Sequence, residues 1–167
     1  MKHLKRASLI LAMIALGACS QNGAGGLGGG LGGSSATDAQ SDPSNPASPA
    51  YFQQSVGDRI FFAVDQSTVD ASAQVALNAQ AEWLVANPDY KVIIEGHADE
   101  RGTRDYNLAL GARRAGSVRE YLTLRGVSAD RIQTVSYGKE RPSELCSAES
   151  CYAMNRRGVT VLSNLSF

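Results

Sequence analysis

The chain has 167 residues with 16 basic and 16 acidic side chains and a formal charge of zero, which leaves room for one modest domain and accessory segments. Lys2, Lys5 and Arg6 all precede Cys19, so the remainder carries 13 basic against 16 acidic groups, a net of −3. A mildly acidic surface gives no electrostatic case for nucleic acid, and with His97 the only histidine after His3 most histidine-based catalytic schemes fall away.

Residues 1–18 have the build of a secretory signal. Three basic groups precede the apolar run Leu9-Ile10-Leu11-Ala12-Met13-Ile14-Ala15-Leu16, which is too short to span a bilayer. The run ends Leu16-Gly17-Ala18-Cys19, which resembles a lipobox, with Cys19 acylated and becoming the new N-terminus. Lipid chains contribute ~0.8 kcal/mol per buried methylene, so several on one residue make a durable anchor. Ser20 after the cysteine, by analogy with lipoprotein sorting, points to the outer membrane. Residues 19–55 then read as the anchor plus a tether. Gly23 to Gly33 is nearly all glycine, Pro43, Pro46 and Pro49 follow, and nothing there buries enough apolar area to offset ordering entropy. A flexible tether of this size has an r.m.s. span of roughly 30 Å and a stretched limit of about 100 Å.

The folded domain is expected over 56–167. Asp58 to Val64 reads as a first strand, rich in aromatic and β-branched residues. Asp70 or Ser72 can cap a first long helix whose apolar groups are Val75, Leu77, Ala79, Ala81, Trp83, Leu84 and Val85, and Asn87-Pro88 ends it. A second strand runs from Tyr90 to Glu95. A charged, glycine-containing loop follows, and then a helix over about 105–125 that Gly126 stops. Leu108, Ala112, Ala115 and Leu122 form its expected buried stripe. Asn107 and Arg114, seven residues apart, lie nearly on one line well round from that stripe, with Gly111 leaving space between them. Arg131 to Tyr137 alternates as a third strand, Ala153 to Arg156 reads as a helical turn, and Gly158 to Ser163 as a last strand. This order implies an α+β two-layer sandwich, β-α-β-α-β-β, with a mixed sheet and its helices on one face.

The chemistry concentrates between the second strand and the second helix. The loop delivers the Asp99 carboxylate and the helix delivers the Arg114 guanidinium fifteen positions later. Together they can hold the two ends of a zwitterion, an ammonium on Asp99 and a carboxylate on the planar fork of Arg114. The alternative is a plain loop-to-helix salt bridge. Glu95, His97 and Asp99 alternate as metal ligands would, but no second histidine supports them, and no nucleophile accompanies Glu100 or Asp99 for hydrolysis. No cofactor is expected. Cys146 and Cys151, with four residues between them in an exported chain, favour a local disulfide over zinc.

Gly96-His97-Ala98-Asp99-Glu100-Arg101-Gly102-Thr103-Arg104-Asp105-Tyr106-Asn107, followed by Leu110-Gly111 and Arg114-Ala115, resembles the peptidoglycan-binding domain shared by OmpA-like proteins. With Val135-Ser136-Tyr137-Gly138-Lys139-Glu140-Arg141-Pro142 it is most similar to the peptidoglycan-associated lipoproteins of Gram-negative envelopes, over roughly residues 57–163. The resemblance implies a non-enzymatic protein in which Asp99 and Arg114 hold the diaminopimelate side chain of the stem peptide. Arg101, Thr103, Asn107, Leu110 and Phe62 would support them. Ala63 stands where that family has an acid after the phenylalanine, and Asp65 lies two residues on. Asn155-Arg156-Arg157 matches a further family motif, its arginines as suited to bracing the sheet as to meeting a ligand. The implied partners are peptidoglycan, TolB and other Tol proteins. The implied setting is the periplasmic face of the outer membrane, in the Tol-Pal system that supports constriction at division. A wall-binding lipoprotein outside that system is the alternative.

Overall fold

The computed structural model describes residues 41–163; the expected signal segment, Cys19 and the tether as far as residue 40 lie outside the described residues. Ser48 opens α1 (Pro49–Tyr51) as its N-cap, its hydroxyl accepting from the Tyr51 amide at 3.0 Å, with proline in the first turn where its missing N–H costs nothing. A wide-turned π-helical stretch, Phe52–Gly57, continues it. The strands are β1 (Arg59–Phe61), β2 (Lys91–His97), β3 (Ile132–Gly138) and β4 (Arg157–Ser163). The longer helices are α2 (Ala71–Ala86) and α3 (Arg104–Leu124), and α4 (Glu149–Asn155) precedes the last strand.

The sheet order is β1-β4-β2-β3, with β4 antiparallel to both neighbours and β2 parallel to β3. The mixed α+β sandwich is therefore present as expected. Val92, Ile94 and Gly96 alternate along β2 onto one face, where α2 and α3 pack, and Lys91, Ile93 and Glu95 turn to the other. The core joins Ile60, Leu77, Leu84, Val92, Ile94, Ala115, Val118 and Leu122. Asp70 caps α2 by accepting from Ala73 N at 2.8 Å, and Asn87 closes it. The Arg131 guanidinium donates to the carbonyls of Leu84, Asn87 and Tyr90, collecting acceptors that the end of α2 leaves free.

Three expectations need correction. The domain does not start near Val56. Phe52 is fully buried, its ring centroid 4.8 Å from that of Trp83, while Trp83 Nε1 donates to Pro46 O at 2.7 Å and Tyr90 Oη to Ala47 O at 3.0 Å. Two aromatics, Tyr51 and Phe52, anchor a stretch whose composition otherwise reads as tether. The inner face of α3 matches the expected stripe only at Ala115 and Leu122. Asn107, Leu110, Gly111, Arg114, Ala115, Val118 and Leu122 are buried, whereas Leu108 and Ala112 are exposed. On α2, Val75 (71% exposed), Ala79 and Val85 face water. In both helices apolar residues on the outer side dilute the periodic signal, and in α3 two polar residues take inner positions.

Candidate functional site

The sheet leaves α3 almost no clearance at one point, and that contact fixes the site. A Cβ on Gly111 would fall 2.7 Å from Gly96 O and onto the Ser136 hydroxyl, so only glycine lets the helix lie this close to β2 and β3. One turn on, Arg114 is carried under the end of β2. It is fully buried, and its nitrogens donate to three carbonyls: Nε to Gln66 O at 2.8 Å, Nη1 to His97 O at 2.8 Å and Nη2 to Ala63 O at 3.2 Å. Phe62 lies behind it, the guanidinium carbon 5.1 Å from the ring centroid. Burial and the nearby Arg156 charge push the Arg114 pKa down to about 10, so it stays protonated at neutral pH.

Asp99 sits in the loop between β2 and α3 and is 7% exposed. Its Oδ1 accepts from the Arg101 amide at 3.1 Å, an Asx turn that shapes the loop. Its Oδ2 pairs with Arg101 Nη2 at 2.7 Å and with Arg156 Nη1 at 3.2 Å. Burial alone would raise the Asp99 pKa, but the hydrogen bonds from Arg101 and Arg156 outweigh it and hold the group below the usual carboxylate value. Asn107 donates to Arg101 O at 2.7 Å and Thr103 caps α3 by accepting from Tyr106 N at 3.2 Å. Across the opening, the Tyr106 hydroxyl donates to Asp65, a residue held at φ 57°.

These parts enclose a cavity of about 320 Å³ whose walls include Asp65, Asp99, Arg101, Tyr106, Asn107, Leu110, Arg114 and Arg156. That is the small end of the range for ligand sites, ~300–1,000 Å³, and suits a head group rather than a whole saccharide chain. The alternative of an Asp99–Arg114 salt bridge is not formed: among the described residues Asp99 pairs with Arg101 and Arg156, and Arg114 makes no ion pair. A buried guanidinium bonded to three neutral carbonyls beside a cavity keeps a charge that a carboxylate could meet.

The OmpA family model matches residues 61–156. The chain belongs to the OmpA family. It is 58% identical over 111 residues to the peptidoglycan-associated lipoprotein of Rhizobium meliloti (strain 1021), covering 66% of this chain and 63% of that protein. Against the protein of the same name from Legionella pneumophila it is 47% identical over 109 residues, 65% of this chain and 62% of the relative. The chain thus spans less than two thirds of these relatives' length. Among solved structures, the peptidoglycan-associated lipoprotein from Burkholderia pseudomallei superposes with a TM-score of 0.64 at 38% identity, over 73% of this chain and 100% of that one. The C-terminal domain of Helicobacter pylori MotB, at 18% identity and a TM-score of 0.60 over 64% of this chain and 84% of its own, shares the fold. The OmpA family is not a family of enzymes.

Within this OmpA domain the structure brings Asp99, Arg101, Asn107, Leu110 and Arg114 to one cavity. It does not bring Phe62 or Thr103 to the wall: Phe62 is core, and Thr103 acts through the helix cap. Ala63 supplies a backbone carbonyl, so its side chain matters little to that contact, and Asp65 provides the nearby acid. Arg156 is the wall residue that the sequence left undecided between bracing and binding. It braces, donating to Phe62 O at 3.1 Å, but it also holds Asp99. Arg157, the first residue of β4, bonds instead to Asn155 O and Arg141 O. Glu95 and His97 sit 3.3 Å apart, while Asp99 turns away to the arginines, so the three alternating side chains do not converge. Cys146 and Cys151 are joined, their Cα atoms 5.8 Å apart.

Proposed function

We propose that this OmpA-family protein ties the outer membrane to the cell wall, binding peptidoglycan non-covalently through the cavity between Asp99 and Arg114. The Arg114 guanidinium, which makes no ion pair among the described residues, carries the assignment. A ligand carboxylate supplies the missing counter-charge, and an ammonium on the same carbon meets Asp99. The distal end of a diaminopimelate side chain has both groups. Charge-assisted bonds contribute ~1.5–3 kcal/mol each, so two or three of them give a modest, reversible grip. The names of the relatives support the wall-binding assignment. The lipobox-like run ending at Cys19 supports a lipid anchor, and the glycine-rich stretch after it a tether. Membership of the Tol-Pal system, TolB as periplasmic partner and a part in constriction at division extend the same proposal. Pull-down with TolB separates it from a wall-binding lipoprotein outside that system.

Asp99→Asn keeps the shape of the side chain and removes its charge. Sedimentation with purified sacculi should be lost in that variant, while the wild-type chain sediments and releases no soluble muropeptides. A second comparison isolates Arg114. Stem peptides ending in diaminopimelate and in lysine differ by one carboxylate, and calorimetry should show the former bound ~10-fold or more tighter. Equal affinities for the two peptides would remove the head-group assignment.

A further inference from the structure

Outside the cavity, the loop bearing Asp99 rests against a turn with no role in the proposed ligand contacts. Glu100 Oε1 accepts from Ser147 Oγ at 3.0 Å and from Tyr152 Oη at 2.9 Å. Glu149 reaches both arginines that pair with Asp99, through Arg101 Nη1 at 3.4 Å and Arg156 Nη2 at 2.8 Å. The Arg101 guanidinium also lies over the Tyr152 ring, 4.5 Å from its centroid. None of Ser147, Glu149 and Tyr152 lines the cavity.

What holds that turn is unusual for a contact surface. Every residue from 141 to 150 is exposed, so no apolar packing fixes it. Asn155 secures its first half, accepting from the amides of Ser143 and Glu144 at 2.7 and 3.0 Å. Beyond Glu144, the Cys146–Cys151 bond closes a short ring that carries both Ser147 and Glu149. A cross-link across so few residues restricts the local chain and adds comparatively little to global stability.

We propose that the disulfide-closed turn, with Tyr152, is a positioning bracket: it holds Glu100 and Arg101 so that the Asp99 carboxylate faces the cavity ready for a ligand ammonium. This rests on the head-group assignment above. Ser147, Glu149 and Tyr152 are positioning residues, acting on the ligand only through the loop.

The test uses the full chain, a Cys146→Ser/Cys151→Ser variant, and a Ser147→Ala/Tyr152→Phe variant that keeps the disulfide and every core residue. Two quantities are measured: amide hydrogen exchange across 99–103 without ligand, and affinity for a soluble tripeptide containing diaminopimelate. Both variants should exchange faster at 99–103 and bind ~2- to 30-fold more weakly, the range for residues coupled to a site they do not touch. Their thermal midpoints should stay close to wild type. Unchanged exchange in the Ser147→Ala/Tyr152→Phe variant overturns the bracket, as does loosened exchange with affinity within twofold of wild type. A wild-type chain that fails to bind the tripeptide counts against the head-group assignment instead, and the ligand-free exchange still decides whether the bracket exists.

Discussion

A guanidinium loses several kcal/mol of hydration on burial, and three carbonyls return only part of it. Arg114 is therefore both a brace and a site of unspent charge. It clamps the carbonyls of Ala63, Gln66 and His97, which belong to two separate segments. Arg114→Lys keeps the charge and loses the planar fork, so sacculus binding should fall ~10-fold or more and the melting temperature should fall with it. Loss of stability with binding intact would leave Arg114 a brace only. His97 offers a separate test by pH. Burial and the Arg157 charge push its pKa from 6.5 down to about 4, and the long contact to Glu95 does not offset them. Because the folded value lies below the unfolded one, the unfolded chain takes up the proton first as pH falls. Stability is then complete above 6.5 and drains away down to about 4, by about 3 kcal/mol in total. Asp99, held below the carboxylate value of 3.8, loses its contribution only at lower pH still. Urea unfolding between pH 7 and 4 should show that slope in the wild type and a flatter one in His97→Gln; identical slopes would clear His97 of the effect.

At the level of elements, the site depends on how closely α3 lies on the sheet. Gly111→Ala places a methyl against Gly96 O and Ser136 Oγ, both on strands that cannot easily give way. Overpacking of this kind costs ~1–3 kcal/mol and lifts the helix, taking Arg114 away from the end of β2. Sacculus binding should fall more steeply than the melting temperature, whereas Ala109→Gly on the exposed face of the same helix should affect stability alone. Element order and sheet content were legible because caps, breakers and alternation are local: Asp70, Asn87-Pro88 and Gly126 each mark an end that the structure keeps. The inner face of α3 was not legible by apolar counting. Its inward positions include Asn107 and Arg114, and Leu108 points outward, so the stripe rule finds Ala115 and Leu122 but misses the polar half of the face. The seven-residue spacing of Asn107 and Arg114 found the cavity face all the same. Arg156 caps the end of α4 and Arg157 opens β4, but no local rule says which of the two meets Asp99, 57 positions back along the chain.

For the molecule as a whole, the boundary between tether and domain is where composition misleads most. Residues 42–50 are prolines, serines, asparagine, alanines and an aspartate, the make-up of a linker, yet they fold back over α2. The reason is specific. Ser48 is buried and caps the start of α1, and its hydroxyl also donates to Asp42 O at 2.5 Å. Pro46 O and Ala47 O receive Trp83 Nε1 and Tyr90 Oη. Phe52 then fills the space beside the indole. Truncating a buried phenylalanine costs ~3–5 kcal/mol, a large share of the 5–15 kcal/mol that holds a domain of this size together. A fragment beginning at Val56 should consequently melt well below one beginning at Ser41, with Trp83 fluorescence shifted to the red as the indole meets water. The cavity lies elsewhere, built from the loops that follow β1 and β2, from α3 and from Arg156 at the end of α4, without this segment, so the shorter fragment should still bind the tripeptide at temperatures where it remains folded. Equal melting temperatures would return residues 41–55 to the tether and leave the domain boundary where composition first put it.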